Sequence, residues 1–152
     1  MSPDPYANKL FSTSGTPCAE KPPVVGIINC TLHARSERRG LEMAPFPSRA
    51  LCKYEIHELI LTTEDAGPGK TVNQIAYLGF FEIEQGGILW VGDQVTLNGK
   101  PIGTLAGYDL THYPNHFNII IKTSLPLKTG LEAGVHPGDK VAFIFHPTET
   151  QS

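Results

Sequence analysis

Apolar and polar residues alternate over short runs along this chain, and no run holds a helical repeat for long. Residues 24–33, VVGIINCTLH, are rich in β-branched side chains and predict a strand. Residues 34–49 are charged and then marked by Pro45 and Pro47, which disfavour a regular helix and predict a loop. Residues 50–63, ALCKYEIHELILTT, read two ways. Cys52, Tyr54, Ile56 and Ile60 share one strand face; Leu51, Tyr54, Glu58 and Leu61 share one helical face. The β-branched end and the flanking strands favour the strand. TEDAGPGK, residues 63–70, is a loop without the GxxxxGK[ST] spacing of a phosphate-binding loop.

Residues 71–84, TVNQIAYLGFFEIE, are apolar on both sides in the middle. Ile75, Tyr77, Phe81 and Ile83 fall on one side; Ala76, Leu78, Phe80, Glu82 and Glu84 fall on the other. This predicts a strand covered on both faces, by the sheet interior and by an outer element or a partner subunit. Gly79 marks a bulge or bend there. After a turn at Gln85-Gly86-Gly87, residues 88–91 and 94–97 are strand pieces. Asn98-Gly99 predicts a type I′ hairpin turn, since both central residues need positive φ, with residues 101–106 returning. Residues 116–123, HFNIIIKT, predict a strand with His116, Asn118 and Ile120 on one face and Phe117, Ile119 and Ile121 on the other. DKVAFIFH, residues 139–146, is the last strand, with Val141, Phe143 and Phe145 on one face. GDQVTL at 92–97 and GDKVAF at 138–143 echo each other, and such Gly-Asp turns recur in small barrels of two similar halves. Residues 129–133 hold at most one helical turn. The expected fold is mainly β: a small single-domain β-barrel over residues 23–148, with the echo pointing to two related halves. A flexible N-terminal tail, residues 1–22, and a flexible C-terminus, residues 149–152, flank it.

A chain of 152 residues suits one domain with a real core. A net charge of −3 gives no basic surplus, so no nucleic-acid partner is expected. Arg35, Arg38 and Arg39 in HARSERRG either hold an anion or form a solvated loop. Cys18, Cys30 and Cys52 are odd in number and lack a CxxC, which fits a reducing compartment and no disulfide framework. Cys30, in an apolar run, is expected to be buried. Nothing near Cys52 argues for a reactive thiolate. With no long apolar span and no signal-peptide core, a cytoplasmic protein without membrane association is expected.

The chemistry concentrates in residues 107–118, GYDLTHYPNHFN. Tyr108, Asp109, His112, Tyr113, Asn115, His116 and Asn118 cluster there, in what reads as a loop at a barrel rim. In one reading Asp109, His112 and His116 bind a divalent metal such as zinc, with Glu82 or Glu84 adding a carboxylate from a neighbouring strand. In a second, metal-free reading His116 is a general acid–base and Asn118 steadies a carbonyl or oxyanion. Asp109 then holds the tautomer of His112 or His116, and Tyr108 or Tyr113 donates a hydroxyl. In a third, these groups only tie down the loop through backbone hydrogen bonds. Tyr108, Tyr113 and Asn115 are candidate substrate contacts, joined by Tyr77, Arg35 and His57. Tyr77 shares a strand with the polar Asn73 and Gln74, and His57 reaches a barrel lumen if residues 50–62 are a strand. His33 lies beside the arginines and can help hold an anion. His136 and His146, next to prolines in turns, receive no role.

The run Tyr113-Pro114-Asn115-His116-Phe117-Asn118 resembles the PYxGTLN-type segment of the archaeal CTP-dependent riboflavin kinases, and the Gly138-Asp139-x-Val141 turn resembles part of their C-terminal half. The resemblance implies a small β-barrel. In that family the segment's Thr and Asn help hold metal and nucleotide. Only Asn118 matches here; His116 stands at the threonine position and Asn115 at the preceding glycine. The resemblance therefore bears on the fold and not on kinase activity.

The leading expectation is a small enzyme with a barrel-rim site. It would carry out acid–base chemistry of isomerase, lyase or cyclase type on a small oxygenated organic molecule. The alternatives are a non-catalytic small-molecule-binding barrel, a metal-dependent enzyme using Asp109, His112 and His116, and a structural or homo-oligomeric module, such as a homodimer, joined through aromatic strand faces.

Overall fold

The structure is a computed structural model that describes residues 21–145. Cys18, His146, the first twenty residues of the expected N-terminal tail and the expected C-terminal tail lie outside those residues.

Eleven strands follow one another without a helix among the described residues. They are β1 (Val24–Ser36), β2 (Leu41–Glu42), β3 (Ser48–Leu51), β4 (Ile56–Thr62), β5 (Thr71–Val72), β6 (Ile75–Gln85), β7 (Gly87–Trp90), β8 (Gln94–Leu97), β9 (Lys100–Asp109), β10 (Asn118–Lys122) and β11 (Lys140–Ile144). Seven of them build one large sheet in the order β1-β11-β8-β9-β10-β4-β6, and β6 pairs with β1 in turn, so the order closes on itself. All pairings are antiparallel except β4 with β10, which is parallel. Two small sheets, β2 with β5 and β3 with β7, lie apart from this order.

The alternation of strand side chains sorts the apolar residues into two clusters. Leu59, Phe81, Val95, Tyr108, Phe117, Ile119, Ile121, Val141 and Phe143 belong to the large one. Ile60, Ile75, Ala106 and Ile120, on the opposite face of the same strands, belong to the other, with Leu41, Met43 and Val72 from the β2–β5 region. The segment around β2 thus covers one outer patch of the sheet. This is the two-sided burial that the middle of residues 71–84 demands.

The Gly-Asp echo is a repeated piece of structure. In the first copy Asp93 N–H donates to the Trp90 carbonyl and the Trp90 N–H donates to Asp93 Oδ2. Gly92 N–H donates to Leu105, and Leu105 N–H donates back to Asp93. The second copy repeats every bond: Asp139 with His136, Gly138 to Ile28, and Ile28 to Asp139. Gly92 and Gly138 have φ of 100° and 97°, a conformation that side chains with a Cβ resist. The strands that follow pair alike, Val95 with Gly103 and Val141 with Gly26. Both partner strands then bulge, β9 opposite Ile120 and Ile121, β1 opposite Phe81 and Phe80. The pairing of β8 with β11, centred on Thr96 and Ala142, relates the two copies by an approximate two-fold. β4 lies between β6 and β10 and has no counterpart.

Several local expectations change. Residues 34–49 are not one loop: β1 runs on to Ser36, and β2 and the start of β3 fall within them. Residues 50–63 are strand but interrupted, because Tyr54 turns with φ of 79°; Cys52, Tyr54, Ile56 and Ile60 therefore do not share one face. Cys30 is exposed, not buried. The bulge after Ile28 resets the alternation and turns Cys30 outward. The Asn98-Gly99 turn is as expected, with φ of 51° and 83°.

Candidate functional site

β9 extends to Asp109, so the expected rim loop shrinks to the segment between Asp109 and Asn118. Tyr108 and Asp109 are then neighbours on a strand and face opposite ways. Tyr108 belongs to the large core, fully buried and stacked on Phe46 at 5.5 Å. Burial pushes its hydroxyl's pKa up. It does not reach the site expected of it.

Asp109 points to the other face and meets the centre of the site. Asn118 of β10 pairs in register with Asp109 of β9 on one side and with Glu58 of β4 on the other. Three adjacent strands thus carry a row of polar side chains, Glu58, Asn118 and Asp109, exposed by only 6%, 1% and 4%. Asn118 Nδ2 donates to Asp109 Oδ2 at 2.7 Å, and Thr111 Oγ1 donates to Asp109 Oδ1 at 2.9 Å. Asn118 Oδ1 is buried with no hydrogen-bond partner among the described residues. Burial pushes the Glu58 carboxyl up to about 7; the Asp109 carboxylate adds to the rise and the Arg39 guanidinium opposes it.

His116 stands at the end of this row. Its Nε2 lies 3.6 Å from Glu58 Oε1, too far for a hydrogen bond, and has no hydrogen-bond partner among the described residues. Nδ1 contacts Asn115 Nδ2 at 3.1 Å. With Nδ1 accepting that amide proton, the ring proton is on Nε2 and faces the row. Burial, then His112 and His57, lower the His116 pKa, while Asn118 raises it. Burial thus works against charge on both Glu58 and His116. Phe80 packs edge-on against the His116 ring and His112 stacks on it, with centroids 5.2 and 5.1 Å away.

The row ends beside an open pocket of about 340 Å³. Its walls are residues 39–44 on one side and Asp109, Leu110 and Thr111 on the other. Arg39 enters it held from behind, its Nε donating to Tyr77 Oη at 3.3 Å. Tyr77 therefore contributes by positioning Arg39.

The remaining expected residues scatter. His57 is buried on the inner face, its Nδ1 accepting from Phe117 N–H at 2.9 Å and its Nε2 donating to Glu55 at 3.1 Å. Burial lowers its pKa against the pull of Glu55. Arg35 is exposed and ion-paired with Glu132, so of the three arginines it is Arg39 that reaches the site. Tyr113 is exposed and packs on Phe117. His33 contacts Thr129 Oγ1 at 2.9 Å. Glu82 and Glu84 are exposed and stand outside the row. The expected metal set is not assembled: Asp109 is engaged by Asn118 and Thr111, and among the described residues no three His, Cys, Asp or Glu side chains are grouped to hold a metal ion. No sequence pattern assigns Glu58 a role; its one signal is a lone charge inside the apolar run IHELILT.

No helix among the described residues is long and apolar enough to cross a membrane. The family model that matches the chain spans residues 18–144 and is described as a family of unknown function, DUF6917; the chain belongs to that family. No curated protein and no solved structure matches.

Proposed function

We propose that this DUF6917 member is a small cytoplasmic enzyme. It would carry out acid–base chemistry of isomerase, lyase or cyclase type on a small oxygenated molecule, with Glu58 as the proton-transfer group. The observation that carries this reading is the row itself: Glu58, a carboxyl with a pKa of about 7, is in register with Asn118 and through it with Asp109, whose end of the row lines an open pocket. A proton carrier works best when its pKa lies near the working pH. Perturbed carboxyls in clefts are enriched at functional sites.

In this reading Arg39 binds an anionic or carbonyl oxygen of the substrate, and Asp109 accepts a hydrogen bond from a substrate hydroxyl. Among the described residues Asn118 Oδ1 and His116 Nε2 have no partner at hydrogen-bond distance, and they offer the substrate an acceptor and a donor. The proton-transfer role expected of His116 passes to Glu58, because partial burial lowers the His116 pKa and leaves less imidazolium to give a proton. The scaffold is read as a small β-barrel of two related halves, with β4 added between them.

The test follows proton transfer directly. A pool of small hydroxy and oxo acids is incubated with the protein in D2O and read by proton NMR. The wild type is expected to exchange or convert at least one member. Glu58→Gln is expected to slow this by about a hundredfold or more, the usual weight of a positioned acid–base group. Turnover that survives unchanged in Glu58→Gln would overturn the assignment.

A further inference from the structure

The second cavity lies at the other end of the strands from the polar row. Leu61, Leu78, Leu97 and Ile102 line its floor, from β4, β6, β8 and β9. Leu61 and Leu78 belong to the large core, and Leu97 and Ile102 pack against it, so the cavity is the far mouth of the closed sheet's interior. The β10–β11 connection bounds it through Leu125, Pro126, Lys128 and Ala133. Its volume is about 290 Å³, at the lower end of small-ligand pockets.

Two cations mark its wall, Lys100 from the start of β9 and Lys128 from the connection. Among the described residues neither ammonium is paired with a carboxylate, whereas nearby Lys122 is tied to Asp65. Thr123 also reaches the wall, but its hydroxyl already accepts from Leu125 N–H. An apolar floor under two unpaired ammonium groups calls for a ligand with an apolar body and one negative end.

We propose that this mouth binds a small amphipathic monocarboxylate, its hydrocarbon part against Leu61, Leu78, Leu97 and Ile102 and its carboxylate between Lys100 and Lys128. The site is separate from the row of Glu58, Asn118 and Asp109 and shares no lining residue with the pocket beside it.

Octanoate is the probe, with octanol and octylamine as neutral and cationic controls, in the full-length protein. Methyl-resolved NMR titrations are expected to give saturable shifts of the Leu61, Leu78, Leu97 and Ile102 methyls with octanoate, and none with octylamine. Lys100→Glu combined with Lys128→Glu is expected to weaken octanoate by about fivefold or more and leave octanol unchanged. Ala133→Phe, at an exposed position on the wall, is expected to fill the space and remove binding of both. No saturable shift, equal binding of the three probes, or shifts confined to the Arg39–Asp109 pocket would each overturn the proposal.

Discussion

A carboxyl that titrates near neutrality leaves a trace in stability. The folded protein keeps the Glu58 proton to about pH 7, whereas the ordinary value is 4.5. Between those two values the folded state binds more protons than the unfolded chain, so its stability falls as pH rises. The difference is worth at most about 3 kcal/mol. Glu58→Gln removes this loss and is expected to be more stable than wild type at pH 8 and nearly equal to it at pH 5, as read by urea unfolding at both values. Identical pH dependence in the two proteins would refute the raised pKa. His116 acts in the opposite sense, because its lowered pKa makes the fold lose stability as pH falls. Part of this site is legible in the sequence. His116, Asn118 and Asp109 lie close together along the chain, and the alternation of HFNIIIKT puts His116 and Asn118 on one face. Glu58 is not legible, because what makes it special is a partner on a distant strand. Tyr108 is misleading for a related reason: β9 runs three residues past the expected strand end at 106, to Asp109, and turns Tyr108 into the core.

The same contrast holds for the elements. The two Gly-Asp turns can be read from six-residue fragments because all their bonds are local or fall on one facing strand. They are not energetically equal. Asp93 is 1% exposed, accepts from Trp90 N–H and is paired with Lys21 at 2.8 Å, and burial raises its pKa. Asp139 makes the matching bond to His136 near the surface. Asp139→Ala is expected to cost about 1 kcal/mol and Asp93→Ala about 3 kcal/mol, measured by denaturant unfolding. Gly79 is set by a close approach: a Cβ there would lie 2.5 Å from the Cys30 carbonyl oxygen. Gly79→Ala is expected to cost about 2 kcal/mol and to lower the melting temperature, since the obstacle is backbone. Of the short strands, β7 and β5 fall where the sequence reads as strand, whereas β2 and the start of β3 fall where it reads as a loop. Two to four residues are too few for a period, and only a remote partner makes them strands.

At the scale of the molecule, the seven-stranded sheet has a neighbour for every strand and no free edge among these seven. Its strands are expected to melt together. The fluorescence of Trp90, on β7 of the small β3–β7 sheet, and far-ultraviolet circular dichroism, which reports mainly the large sheet, should follow one transition with the same midpoint, and separated midpoints would mean that the small sheet comes apart from the large one. The parallel pairing of β4 with β10 joins residues as far apart as His57 and Phe117, separated by 60 positions. Contacts of such long range carry a large loop-closure cost and form late. The register that brings Glu58 to Asn118 is the same one that completes the ring of strands. A half-assembled chain can therefore own every residue of the polar row and still lack the row, so recovery of the proposed proton-transfer activity during refolding would time the β4–β10 joint.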